Sequence, residues 1–524
     1  MEMETEGIYR LGKPKKKGLA ALLFSRFIVI AALILLQVAM VAAVYVWLSQ
    51  YKTVYTVFIV LFTLLMIYYL FNNPMDSSAK LTWMFIIAVM PIVGAVFLYF
   101  TQANHGNRRL KRKEASLIEQ TKDAIPQDER VMKELEEDGS GLDDLSVYLQ
   151  RSGCFPVYDN TEVQYFSLGE YKFAAMLEEL RKAEKYIYME YFIVEEGYMW
   201  SEILKILVEK AKAGVDVRVM YDGMCEISTL PADYWKLLEK EGIKAKAFSP
   251  LIPVMSSHYN YRDHRKILVI DGKVAFNGGV NLADEYINRI ERFGHWKDTA
   301  LMIKGNAVKS FAVMFLQMWN ITEVSPVFPP VTEDTGYTPD APSGYVMPYS
   351  DYPLDGERVG ETVYMDILYR ATDYVHIMTP YLILDGELET ALKYAAKRGV
   401  DVKLILPGIP DKKMAYALAK SHYRELVRAG VKIYEYTPGF VHAKVFVSDD
   451  RKAVVGTINL DYRSLYHHFE CATYLYKTAC IPKIERDFEE TLSKCRTVTE
   501  ETIKNEQFSY KLMGGLMKFI APLM

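Results

Sequence analysis

The chain has 524 residues, 51% apolar and 24% charged, which excludes a disordered polymer and leaves room for three to four domains at roughly 150 residues each. A formal net charge of -4, from 62 Lys plus Arg against 66 Asp plus Glu, gives no global basic field for wrapping nucleic acid, so anion binding must be local. The five cysteines (Cys154, Cys225, Cys471, Cys480, Cys495) form no C-x-x-C pair and are odd in number, which argues for buried thiols against a zinc knuckle or a closed disulfide framework.

Near the N-terminus, three stretches lack any Asp, Glu, Lys or Arg: Phe27 to Tyr51, Thr53 to Met75 and Leu81 to Asn104. Each exceeds the roughly 20 residues that cross a bilayer. Tyr45, Trp47, Tyr51, Tyr68, Tyr69 and Tyr99 lie near their ends, as interfacial aromatics do. The first stretch is too long for a signal-peptide core, and no small-residue cleavage site precedes a polar start. Residues 1–105 therefore read as an uncleaved anchor of two to three hydrophobic helices, and the protein as a multi-pass protein of the cell membrane. Basic clusters flank both ends, Arg10 to Lys17 and Arg108 to Lys113, so three full spans would oppose the positive-inside tendency. One stretch is then re-entrant or interfacial, or the rule is broken here. The remainder of the chain is placed on the cytoplasmic side, in keeping with its unpaired cysteines.

Residues 106–146, with Glu134, Glu136, Glu137 and Asp138 among helix-friendly neighbours, read as a solvated charged connector. Strand-like and helical patterns alternate over 147–324 and again over 357–495. Between them, residues 325–356 are rich in Pro, Gly, Asp and Tyr and read as a surface linker. The two patterned regions repeat one another. Tyr186 to Ile193 reads as a buried strand, Ser201 to Ala213 as a helix, and Gly214 to Asp222 as the next strand; Tyr374 to Ile383, a helix, and Gly399 to Pro407 follow the same order. Gly242 and Gly430 each close a helix before a further strand. Such β-α-β alternation predicts a mainly parallel sheet covered by helices.

Each repeat then delivers one polar cluster beside an apolar strand. The first is His264-Arg-Lys266 with Asp271, followed by Gly278-Gly279-Val-Asn281; the second is His442-Ala-Lys444 with Asp449, followed by Gly456-Thr457-Ile-Asn459. Alternation along a strand puts His and Lys, two apart, on one face. One such string is degenerate. Two copies with equal internal spacing in two matching repeats point to one shared site.

These motifs resemble the phospholipase D superfamily, whose hallmark is H-x-K-x4-D-x6-G-[SGT]-x-N occurring twice, and within it the bacterial cardiolipin synthases. The likeness extends to Asp76-Ser-Ser-Ala-Lys-Leu-Thr-Trp, Pro91-Ile-Val-Gly94, Ala275 to Tyr286, His295-Trp-Lys-Asp298 and Asn459 to Leu465 with Phe469-Glu470. Gly279 and Thr457 stand where many relatives carry Ser, and His468 where Asn is common. The resemblance implies an α/β fold of two phospholipase D-like αβα sandwich repeats sharing one active site.

It also implies a reaction. A phosphodiester needs an in-line nucleophile, a proton donor for the leaving alkoxide and positive charge on the equatorial oxygens. His264 and His442 fit the first two roles, and Lys266, Lys444, Asn281 and Asn459 can clamp the phosphate oxygens. By the family pattern one His, here assigned to His264, carries a covalent phosphatidyl group while the other moves the proton. The resemblance implies Glu470 and Asp298 as the acceptors that orient the two histidines, crossing between the halves. Asp271 and Asp449 complete the catalytic motifs, although alternation turns them away from His and Lys and suits a structural part. His258, His295, His422 and His467 read as ordinary polar residues. No cofactor and no metal are expected.

Phe508 to Met524 carries apolar residues at helical spacing, so residues 496–524 read as an amphipathic tail that lies on a membrane or packs on the catalytic part. The expected function is a cardiolipin synthase, joining two phosphatidylglycerol molecules into cardiolipin with release of glycerol, with a membrane and no nucleic acid as partner. The alternatives are a phospholipase D-type hydrolase, another phosphatidyltransferase and a non-catalytic membrane scaffold.

Overall fold

The computed structural model describes residues 9–11, 35, 39, 42–43, 46, 49–102, 105–153, 155–249, 261–330, 333 and 336–523. These form two compact units, a larger one over residues 9–11, 109–249 and 261–517 and a smaller one containing residues 49–108 and 518–523. Cys154, His258 and nearly all of the first apolar stretch lie outside the described residues.

In the larger unit, the strands of the first repeat are β1 (Thr161–Phe166), β2 (Tyr186–Tyr191), β3 (Asp216–Asp222), β4 (Lys244–Phe248), β5 (Arg262–Asp263), β6 (Lys266–Ile270), β7 (Val274–Gly278), β8 (His295–Lys297) and β9 (Ala300–Gly305). Those of the second are β10 (Tyr345–Asp351), β11 (Tyr374–Met378), β12 (Asp401–Pro407), β13 (Lys432–Tyr436), β14 (Gly439–Val441), β15 (Val445–Ser448), β16 (Lys452–Gly456), β17 (His468–Tyr476) and β18 (Cys495–Thr497). The sheet orders are β1-β9-β7-β6-β2-β3-β4 and β10-β17-β16-β15-β11-β12-β13-β18, so the second reproduces the seven strands of the first in order and adds β18 at its edge. Helices Gly169–Lys182 and Tyr198–Lys212 cover one face of the first sheet. The other face shares a continuous core with the second sheet and with helix Val308–Asn320, where Ile267, Val269, Leu301, Val445, Val447 and Phe315 are buried.

The sheets are mixed, which corrects the expectation of a mainly parallel arrangement. Along the two main orders β2, β3 and β4, and likewise β11, β12 and β13, run parallel, whereas β6, β7, β9 and β1 are joined antiparallel. The reason is the motif aspartate itself. Asp271 and Gly272 have φ of 53° and 68°, and Asp449 and Asp450 of 54° and 53°, so each pair turns the chain back in a hairpin with both central residues left-handed. Each aspartate also secures a second strand. Asp271 accepts from the backbone N–H groups of Glu184, Lys185 and Tyr186 at 2.8, 2.7 and 2.8 Å, and Asp449 from those of Thr372, Asp373 and Tyr374 at 2.9, 3.0 and 2.9 Å. Asp271→Ala should therefore cost about 3 kcal/mol, since three charge-assisted bonds to one strand entry are lost. The expected result is a Tm lower by several degrees with kcat per folded molecule kept; a collapsed kcat at unchanged Tm would return this aspartate to the chemistry.

Three further expectations change. Residues 106–146 are no solvated connector: helices His105–Thr121, Glu129–Asp138 and Leu142–Gly153 bury Leu117, Val131, Leu135, Leu142 and Leu145 in the shared core, and of their charged residues Glu114 is buried as well. Residues 325–356 contain β10, an edge strand paired antiparallel with β17, which buries Tyr349 beside the adjoining Tyr352. The tail contributes β18 to the second sheet before helix Phe508–Ile520, which exposes Phe508, Leu512 and Leu516.

In the smaller unit, Lys52–Phe71 forms a helix of 20 residues, long and apolar enough to cross a membrane. The third apolar stretch is broken. Met90 leaves helical geometry because Pro91 follows it, which gives Ser77–Val89 with 13 residues and Pro91–Gln102 with 12. At about 1.5 Å per residue neither reaches across about 30 Å of hydrocarbon. Leu70, Trp83, Ile87 and Leu98 form this unit's own core.

Candidate active site

His264 and His442 sit at equivalent points of the two repeats, each just after a short strand that crosses to the other repeat. β5 pairs with β17, and β14 with β8. This exchange puts the His264 N–H 2.9 Å from the Phe469 carbonyl and the His442 N–H 2.7 Å from the Lys297 carbonyl. It also places a carboxylate from the opposite repeat under each ring. His264 Nδ1 lies 2.8 and 2.9 Å from the two carboxylate oxygens of Glu470, and His442 Nδ1 lies 2.6 Å from Asp298 Oδ2. With Nδ1 held in both rings, Nε2 is the nitrogen left for chemistry.

The lysines complete the cluster. Lys266 Nζ donates to the His264 carbonyl and lies 5.5 Å from the centre of the Phe192 ring. Lys444 Nζ donates to the His442 carbonyl and lies 3.0 Å from Nδ1 and 3.1 Å from Nε2 of that imidazole. Burial dominates the electrostatics. It holds the His264 imidazolium well below its ordinary range, aided by Lys266 and His468, and that of His442 at about 4, with Lys444 lowering it and Asp298 opposing. The imidazolium is thus disfavoured in both rings, less so in His442, where Asp298 opposes the shift. Burial also pushes the Glu470 carboxyl up, against Lys266 and the hydroxyls of Thr457 and Ser464. For Asp298 burial is outweighed by His442 and Lys444, which hold it below the usual carboxylate range.

Burial brings the Lys266 and Lys444 ammonium groups down to about 8 and about 7. A bound phosphodiester favours the charged amines, so at higher pH protons must be taken up on binding. Affinity for a phosphodiester analogue should therefore be steady in mild acid and weaken as pH rises through 7 and 8. Calorimetry in buffers of different ionisation enthalpy should show the uptake. Constant affinity across that window would separate the lysines from the phosphate.

The family description "Cardiolipin synthase, PLD-like domain" matches residues 176–319 and 364–492, which together carry both His-Lys pairs and both orienting carboxylates. The chain belongs to this cardiolipin synthase family. It is 34% identical over 445 residues to a cardiolipin synthase of Geobacillus sp. (strain WCH70), covering 85% of this chain and 88% of the relative. It is 32% identical over 470 residues to one of Alkalihalophilus pseudofirmus, covering 89% and 93%. An uncharacterized protein of Streptococcus mutans is 59% identical over 460 residues, 87% of this chain and 99% of that one. The crystal structure of the phosphatidylserine synthase of Haemophilus influenzae shares the fold, with a TM-score of 0.54 and 14% identity over 69% of this chain and 93% of that one.

Within this family site the two repeats are not equivalent. Thr457 and Ser464 donate to Glu470, the second at 2.7 Å, whereas the position matching Thr457 is Gly279, where a Cβ would lie 2.1 Å from Asp298 Oδ1. Asn281 is largely engaged, accepting from the Ile193 N–H at 3.1 Å and donating to the Tyr286 hydroxyl at 2.8 Å. Asn459 Oδ1 is buried with no partner among the described residues. Asp271 and Asp449 have their carboxylates tied to strand entries and are not among the groups around the two rings. His295 meets Tyr436 and His422 meets Glu389, both apart from the reacting rings. Sequence reasoning missed Thr457 and Ser464 as carboxylate donors, and Phe192 and Tyr286, whose rings stand edge-on to His264 and His442 at 4.8 and 5.3 Å. The signal for the hydroxyls was present, since both lie within the quoted motif segments.

His264, His468 and Glu470 also offer a geometry that can hold a metal ion. Lys266 beside them opposes a cation, and the phosphoryl chemistry assigned to these side chains is complete without one.

Proposed function

We propose that the protein transfers a phosphatidyl group between two phosphatidylglycerol molecules, giving cardiolipin and glycerol. The observation that carries this reading is the paired arrangement of two histidines, each with Nδ1 fixed by a buried carboxylate of the other repeat and a lysine alongside. The cycle starts from the form that carries the His442 imidazolium, which Asp298 favours: His264 Nε2 attacks phosphorus, the bond from phosphorus to the glycerol oxygen breaks, and His442 Nε2 gives its proton to that oxygen. A hydroxyl of the second phosphatidylglycerol then gives its proton to His442 and attacks phosphorus, releasing His264. His264 is assigned as nucleophile because its imidazolium is the more strongly disfavoured; Asp298 makes His442 the easier ring to protonate. Lys266, Lys444 and Asn459 hold the phosphate oxygens.

Helix Lys52–Phe71 is proposed to keep the enzyme at the bilayer. The catalytic unit is placed on the cytoplasmic side, where its free thiols Cys225, Cys471 and Cys480 stay reduced. Purified full-length protein with labelled phosphatidylglycerol should form cardiolipin and glycerol in equal amounts and little phosphatidic acid. Because water is abundant, this outcome requires that the buried site position the lipid hydroxyl in its place. Dominant phosphatidic acid on native-like bilayers would make the protein a hydrolase.

A further inference from the structure

Transfer between two phosphatidylglycerols presents the site with two phosphodiesters, and the His-Lys pairs account for only the one that reacts. The second travels with the acceptor, a three-carbon bridge away from the attacking hydroxyl, and needs cationic or N–H donors near the reacting rings.

The two sides of the site differ in what they offer. Around His442 the neighbours are the aromatic rings of Tyr286, Trp296 and Phe440. Around His264 they are Phe192 and His468, whose ring centre lies 5.2 Å from that of His264. His468 occupies the β17 position that matches Trp296 of β8, so an imidazole replaces an indole. Its Nε2 accepts from Arg463 Nε at 3.3 Å, which leaves its proton on Nδ1, 3.5 Å from Glu470 Oε1.

Arg463 is thereby anchored through Nε one imidazole's width from His264. It is half-buried, and neither Nη has an acidic partner among the described residues. Next to it, His467 Nδ1 is buried with no hydrogen-bond partner among the described residues. A guanidinium fork without a carboxylate beside an unpaired imidazole nitrogen matches the oxygens of a phosphodiester. We propose that Arg463 and His467 form a subsite for the phosphate of the acceptor lipid. The proposal rests on the transfer reaction assigned above and says where its second substrate is held.

The donor half-reaction isolates the subsite. Phosphatidylglycerol and labelled glycerol exchange headgroups through the phosphatidyl-histidine with no second lipid phosphate, so exchange needs only the His-Lys pairs. Full-length Arg463→Gln and His467→Ala in mixed micelles should each lose about tenfold or more in cardiolipin formation at limiting phosphatidylglycerol. Exchange should stay within about twofold of wild type, and phosphatidic acid should rise relative to cardiolipin. Arg463→Lys should recover part of the loss, because a charge remains without the fork. Equal loss of exchange and synthesis, or no loss of either, overturns the subsite. Wild-type protein that exchanges glycerol but forms no cardiolipin overturns the parent reading instead, and the second phosphate with it.

Discussion

His264→Ala and His442→Ala are each expected to lower turnover by at least about 10³-fold while the protein keeps its fold, because each ring supplies a role no neighbour can take over. The rings are buried but do not carry the core: their backbone N–H bonds to Phe469 and Lys297 survive substitution, and each side chain contacts one carboxylate and a few rings. The two losses should differ in kind. Without His264 no covalent intermediate forms, so acid-quenched protein carries no lipid. Without His442 the first step lacks its proton donor, so a donor lipid with a leaving group that needs no proton should still label His264. Combining both substitutions should cost little more than either alone, since groups that act as a unit are not additive. An adduct found on His442 would exchange the two roles, and near-normal turnover in either variant would remove the two-histidine mechanism.

Both His-Lys pairs were legible in the sequence because the motif is local: spacing within a strand and its hairpin sets which side chains share a face, and a repeat displays that spacing twice. The crossing of carboxylates was only implied by resemblance, since β5 with β17 and β8 with β14 are pairings of three residues or fewer, too short for periodicity to register. The mixed sheet could have been read from Asp271-Gly272, a left-handed turn pair between two apolar strands, had turn chemistry been weighed against the β-α-β rhythm.

Composition misled elsewhere. The charged residues of helix Glu129–Asp138 hid Val131 and Leu135, four apart on one face and both buried, and the Pro-rich stretch hid β10, whose Tyr349 is fully buried. Pro91 lies within an apolar run yet ends the helix before it, so run length alone does not tell whether that stretch is one helix or two short ones. The inequality of Asp298 and Glu470 cannot be read from the motifs alone, because it depends on which charges and how much burial the fold brings to each carboxylate. It arises because burial raises the Glu470 carboxyl against Lys266 and the hydroxyls of Thr457 and Ser464, whereas His442 and Lys444 outweigh burial at Asp298.

That inequality makes Asp298→Asn the second large effect, with an expected loss of about 10³-fold in kcat, by the reasoning that applies to a buried aspartate behind a proton-transferring histidine. Asp298 is ionised, meets His442 Nδ1 at 2.6 Å and lies in the field of Lys444, so the amide removes the charge that stabilises the imidazolium formed when His442 takes the acceptor's proton. It also allows an N–H to face Nδ1, which would shift the ring proton to Nε2 and block the general base. The acidic limb of the kcat profile should move to lower pH, because Asp298, which raises the His442 pKa against burial and Lys444, is gone. Glu470→Gln should cost less, since burial already favours a neutral carboxyl there and Thr457 and Ser464 still orient the side chain. Gly279→Ala offers a control that keeps the charge. Its Cβ must displace Asp298 Oδ1, so it should lower kcat through lost alignment, while the pH profile stays nearer to wild type than in Asp298→Asn. A Glu470→Gln loss equal to that of Asp298→Asn, with unshifted profiles in both, would mean that the carboxylates only position their rings and that the electrostatic difference between the two repeats has no part in the chemistry.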